Sequence, residues 1–262
     1  MTRHDPHLLW RTYESLPSLQ KAAIRIRALI GDPIQKNTFV QALAASRIRS
    51  LDGKAWSGRS AQELLNRLRD RGLLEPDFTC VAAIRHRIAV DAAEGDQSTD
   101  LLHGLARSLP RSDRDQPKSP FAYYRTKLSE DGDLFRRVRL AIYANDQAEF
   151  VRLSKLFARN EHYGSDAEEH GAVILTNLLA KVPGDLPWLE RRAPAIRDAI
   201  IASMATALVE TGAARSDSAA VVDKLAPDAA ASPAINKALL WCDILAGKAR
   251  HGARACCGAW GQ

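Results

Sequence analysis

Cysteine is scarce, long apolar runs are missing, and the common catalytic signatures are absent. Four cysteines among 262 residues do not make a disulfide scaffold. Cys80 and Cys242 also lie inside apolar patterns, so the sequence reads as a reduced, cytoplasmic protein. The charge-free run Ala199–Val209 falls far short of the roughly 20 apolar residues a bilayer-spanning helix needs. No membrane partner is therefore expected. The opening Met1-Thr2-Arg3-His4-Asp5-Pro6 leads into a charged segment with no apolar run for a secretory signal. Gly53-Lys54 and Gly247-Lys248 lack both the upstream glycine and the following hydroxyl residue of a phosphate-binding loop. No Gly-x-Ser-x-Gly elbow and no His-Glu-x-x-His pair occurs. The reading is of a protein that is not an enzyme, with no cofactor and no small-molecule substrate.

What is present is ordinary globular material, with hydrophobic residues at 46% and charged residues at 26%. At about 100–200 residues per domain the length fits one large domain or two smaller ones. The net charge of +6 is unevenly placed. Residues 1–90 hold 15 Lys and Arg against 8 Asp and Glu, whereas residues 132–262 hold 16 against 15. A surplus confined to the first third points to a polyanion-facing surface there.

Within that third, Leu19, Ala22, Ala23, Ile26, Leu29 and Ile30 recur at helical period over Ser18–Ile30, with Lys21 and Arg25 opposite. Gly31-Asp32-Pro33 ends that helix. Asn37 is the expected cap of a second helix, Thr38–Ser46, with Phe39, Ala42 and Leu43 inward. Asp52-Gly53 marks a turn. Ser60-Ala61-Gln62-Glu63 reads as a capping box. The third helix it opens turns Ala61, Leu64, Leu65 and Leu68 to the core and stops at Gly72. Leu73–Val81 then reads as two short strands around Pro76-Asp77.

Three helices and a hairpin make residues 1–90 a winged-helix-like module. Its third helix would carry Arg59, Gln62, Asn66, Arg67 and Arg69 on the solvent side, residue types that bond phosphates and base edges. DNA or RNA is the expected partner. Glu63 and Asp70 share that arc, and Glu75 and Asp77 sit at the hairpin tip. A solvated face on a protein-interaction domain is therefore the alternative.

Beyond residue 90 the expectation is mainly α. Residues 91–119 form connecting helices, with apolar positions such as Leu101 and Leu105, and a linker marked by Pro110, Pro117 and Pro120. Residues 120–247 form a helical-hairpin or repeat-like region able to hold partner proteins. Leu134–Tyr143, the turn Ala144-Asn145-Asp146 and Gln147–Ala158 make its first helix pair. Asp166–Lys181, Ala193–Thr211, Ser218–Leu225 and Pro233–Ala246 are further helices. An ordinary helical bundle is the rival architecture. Residues 248–262 lose apolar periodicity and gather Gly, Cys and Trp, which suggests a truncated or frame-shifted reading frame. Asp166 and His170 fit an acidic first helical turn better than a metal pair. His251 with Cys256 and Cys257 is a poor zinc pattern, so no metal is expected. Tyr123, Tyr124 and Arg125 could stack on bases, but read better as core.

Three stretches carry a likeness: Leu8-Leu9-Trp10-Arg11-Thr12-Tyr13-Glu14-Ser15-Leu16-Pro17, Leu64 through Leu74, and Arg139-Leu140-Ala141-Ile142-Tyr143-Ala144-Asn145-Asp146. Over about residues 8–247 the chain resembles the amino-terminal region of large bacterial helicase-like proteins of the Swi/Snf class. Their winged-helix and helical-repeat segments precede an ATPase core. The resemblance implies an accessory region that guides a motor to nucleic acid or partner proteins, without the motor itself.

Overall fold

The computed structural model describes residues 5–31, 34–50, 52–96, 98–109, 134–158, 175–180, 182, 185–211 and 224. The chain divides into two compact units, Met1–Ala144 and Asn145–Gln262. The described parts are mainly helical, with no strand among them. None of the described helices is long and apolar enough to cross a membrane. The expected linker over 110–120, Tyr123 to Arg125, Asp166, His170 and the tail 248–262 lie outside the described residues. So does nearly all of the two expected helices beyond residue 217.

The first unit opens with a helix the periodicity does not announce, α1 (Pro6–Glu14). Asp5 caps it, accepting from the His7 amide at 2.9 Å, and Pro6 occupies the first turn, where a missing N–H is harmless. Next comes α2 (Ser18–Ile30), where Ala23, Ile24 and every residue from Ile26 to Ile30 are buried. Such all-round burial makes α2 the central helix of the unit. Helix α3 (Lys36–Ala45) begins at Gln35, whose carbonyl accepts from the Phe39 amide at 3.1 Å. Asn37 is thus inside the first turn instead of capping it. Phe39, Ala42 and Leu43 face inward as their spacing predicts.

The end of α3 is a Schellman motif. The Ile48 amide bonds the Leu43 carbonyl and the Arg47 amide bonds the Ala44 carbonyl, each at 3.0 Å. Arg47 holds the left-handed position with φ 57°. A non-glycine residue there costs roughly 1–2 kcal/mol.

Helix α4 (Gly58–Asp70) starts three residues earlier than the Ser60 capping box implies. The box is instead Ser57 with Ser60: Ser60 N donates to Ser57 Oγ at 3.1 Å and Ser57 N to Ser60 Oγ at 3.0 Å. Glu63 is thereby moved into the second turn, where it faces Arg59 at 3.9 Å.

Leu73–Val81 is one antiparallel bridge, Leu74 to Cys80, and not a pair of strands. The segment between the end of α4 and the next helix is too short for more. Glu75 N reaches Thr79 O at 2.9 Å, Phe78 N reaches Glu75 O at 2.8 Å, and the chain enters α5 (Ala82–Glu94) directly after Val81. Asp77 braces the tip by accepting from the Thr79 amide and hydroxyl, which lowers its carboxyl pKa. From below, the buried Arg27 guanidinium donates to the Phe78 carbonyl through Nε at 2.7 Å and also through Nη2.

Helix α5 packs on α2, and α6 (Ser98–Ser108) packs on α3. Tyr13, Arg25 and Asp91 tie α1, α2 and α5 together: Tyr13 donates to the Asp91 carboxylate, and Arg25 Nη2 meets it at 2.8 Å. Arg87 stacks 3.7 Å from the Trp10 ring centroid, adding a second α5–α1 clasp. Residues 134–144 are helical (α7). Arg139 of α7 donates to the Leu29 carbonyl at 3.1 Å, satisfying the last turn of α2. Its Nε would lie 2.8 Å from a Cβ at position 31 and would have to shift, while φ +83° there strains any side chain, so glycine suits the position. The expected module over residues 1–90 lies wholly inside this unit.

In the second unit Asn145 takes φ 55°, and Asp146 caps α8 (Gln147–Ala158) by accepting from Glu149 N at 3.0 Å. Residues 175–179 are helical (α9), followed by α10 (Leu186–Glu190) and α11 (Pro194–Thr211). Asn145 Oδ1 accepts from the Ala193 amide at 2.7 Å at the start of α11. Phe150 and Leu153 of α8 are buried, as are Ile196, Ile200, Ile201 and Met204 of α11, and the two helices pack together.

Candidate nucleic-acid interface

Helix α4 is two-sided because its apolar residues recur at helical spacing. Ala61, Leu64, Leu65 and Leu68 are all buried, which leaves the opposite arc to polar side chains. Arg59 is 92% exposed; Arg67 and Arg69 are also exposed, and Gln62 and Asn66 are half-buried. All five residues singled out from the sequence therefore share one outward arc of one helix. Gln62 Nε2 donates to Asn66 Oδ1 at 3.3 Å, which keeps the middle of the arc ordered.

Carboxylates occupy the same arc. Glu63 and Asp70 fall within about 40° of Arg59 on the helical wheel. Arg59 approaches Glu63 at 3.9 Å and Arg69 approaches Asp70 at 3.7 Å. Arg69 also lies 5.3 Å from the Phe78 ring centroid, so the hairpin tip holds it sideways. Arg67 makes no ion pair among the described residues. It is the arc's least committed cation.

Arg67 opens onto a cleft of about 210 Å³ shared with Ser60 and Leu64 of α4, Trp56, and Ser50 and Asp52 of the loop before α4. Trp56 Nε1 donates to the Ile48 carbonyl at 2.8 Å, and the Ser50 amide donates to the Lys54 carbonyl at 3.3 Å. Bonds from Ser50 and the Lys54 amide also keep the exposed Asp52 carboxyl pKa low. Ser50 and Leu19 belong as well to a larger cleft of about 540 Å³. Arg25 of α2, Arg47 and Arg49 after α3, and Asp100 of α6 supply its charged groups. The sequence reading missed Arg47 and Arg49. The signal available was two arginines flanking one apolar residue, between helices, inside the basic third of the chain.

Among the described residues no group of three His, Cys, Asp or Glu side chains could hold a metal ion. Cys80 is buried, and burial pushes its thiol up to about 12, so it remains protonated at neutral pH. No protein family, no curated protein and no solved structure matches the chain.

Proposed function

We propose that the first unit is a non-catalytic nucleic-acid-binding module of winged-helix type, with α4 presented to the duplex. The observation that carries this reading is the outward arc of α4, where Arg59, Gln62, Asn66, Arg67 and Arg69 stand over a buried leucine seam. Guanidiniums bond phosphates in a fork, and amide side chains such as Gln62 and Asn66 suit base edges. The hairpin at Leu74 and Cys80 is a minimal wing. The likeness to regions ahead of a Swi/Snf-class ATPase core suits such a module to targeting a motor, with the second unit as a helical-hairpin or repeat-like partner surface.

The test is fluorescence anisotropy of the full chain with a labelled mixed-sequence DNA duplex. Arg67→Glu should weaken binding by about tenfold or more, since it replaces an attraction to phosphate with a repulsion. Its melting temperature should not change, because exposed surface substitutions rarely move stability beyond about 0.5 kcal/mol. Unaltered affinity would reject the reading.

The pairing of Arg59 with Glu63 and of Arg69 with Asp70 favours a second reading, a protein-interaction scaffold whose α4 face is merely solvated. On that reading Arg67→Glu leaves partner binding intact.

A further inference from the structure

We infer that the cleft between α2, the loop after α3 and the start of α6 is an anchor for the phosphodiester backbone of the nucleic acid bound at α4. The inference rests on the reading of α4 given above and extends it to a surface outside that helix. Three observations support it.

The first is charge. Arg25, Arg47 and Arg49 line the cleft against one carboxylate lining residue, Asp100. Arg25 is engaged by Asp91, which meets it from α5 at 2.8 Å, and by the Tyr13 hydroxyl at 2.9 Å. Arg47 and Arg49 are exposed and make no ion pair among the described residues, so two guanidiniums are available to a ligand. The wall they face begins at Ser18 and Leu19, the first turn of α2, which has no side-chain cap and no acidic residue. Backbone amides there add partial positive charge.

The second is continuity. Leu19 and Ser50 line both this cleft and the smaller one beside Arg67. A single polyanionic strand following the surface from α4 would meet Arg67, pass Ser50 and reach Arg47 and Arg49. Asp52 is the carboxylate of the loop on that path, and Glu63 the one on α4.

The third is backbone strain at Arg47. Position 47 is the left-handed residue of a Schellman motif, where glycine is the least strained choice. An exposed guanidinium thus lines the cleft at a position where the backbone alone would favour glycine.

The experiment pairs stability with affinity in the full chain, using the labelled mixed-sequence duplex. Arg47→Gly removes the guanidinium and relieves the backbone, so it should melt at or above the wild-type temperature yet bind the duplex more weakly. Combining it with Arg49→Gln should flatten the slope of log K against log salt by about 2, one phosphate contact per arginine. Asp100→Asn should tighten binding. If the double variant binds with wild-type affinity and slope while Arg67→Glu loses binding, the anchor is overturned and the reading of α4 stands. If Arg47→Gly lowers melting temperature and affinity together, the residue is structural and the anchor fails. Wild-type protein that ignores the duplex overturns both. Equal affinity for poly-L-glutamate overturns the phosphodiester assignment in favour of an acidic polypeptide.

Discussion

Replacing Arg27 by alanine should lower the unfolding free energy of the protein by about 3 kcal/mol, the sum of two losses. Arg27 is only 2% exposed, and burial pushes its guanidinium down to about 10, so it stays charged at neutral pH. It compensates that desolvation with paired bonds to the Phe78 carbonyl and with the attraction of Asp77. Truncation would orphan the carbonyl, at about 1–3 kcal/mol, and empty the space its buried side chain fills, with the guanidinium over Phe39. Arg27→Met keeps most of that volume and should lose only about 1–2 kcal/mol. Urea midpoints at unchanged m-value measure both. If both variants fall within about 0.5 kcal/mol of wild type, the clamp on the hairpin contributes nothing.

Gly104→Ala should destabilise by about 2 kcal/mol, against the usual direction for glycine in a helix. By propensity alone alanine gains about 1 kcal/mol. Here a Cβ would meet Ser46 Oγ and lie 2.6 and 2.7 Å from the Ser46 backbone N and Cα. Main-chain atoms cannot rotate aside, so α3 and α6 must move apart and the buried Leu101 and Leu105 lose their fit. Adding Ser46→Ala should recover only part of the loss, because two of the three obstructing atoms are backbone. A Gly104→Ala protein more stable than wild type would show that the helices do not approach this closely.

These two sites also show what a sequence can carry. The apolar seam of α4 was legible because Leu64, Leu65 and Leu68 obey a period, and the bounds of α8 follow from Asp146 and its apolar run for the same reason. Helix α1 is legible by a different signal, since Asp5-Pro6 marks a helix start. The capping serine was displaced by one turn because Ser57 and Ser60 are chemically alike, and only reciprocal bonding distinguishes them. Arg27, Gly104 and Gly31 were illegible for another reason. Their partners are backbone atoms or side chains 51, 58 and 108 residues away along the chain, and local pattern contains no information about such meetings. The arginines of the larger cleft fall between these cases. Their charge was counted in the surplus, but only the fold brings Arg47 and Arg49 beside α2 and, through Ser50, toward Arg67.

The proposed function requires the basic side of the first unit to be a surface for phosphates. The most direct measurement is the dissociation constant of the wild-type chain for a mixed-sequence duplex across a salt series from about 50 to 200 mM. With Arg59, Arg67, Arg47 and Arg49 each neutralising one phosphate, log K should fall against log salt with a slope of about −3 to −4. A flat line, or no binding at the lowest salt, would contradict the account.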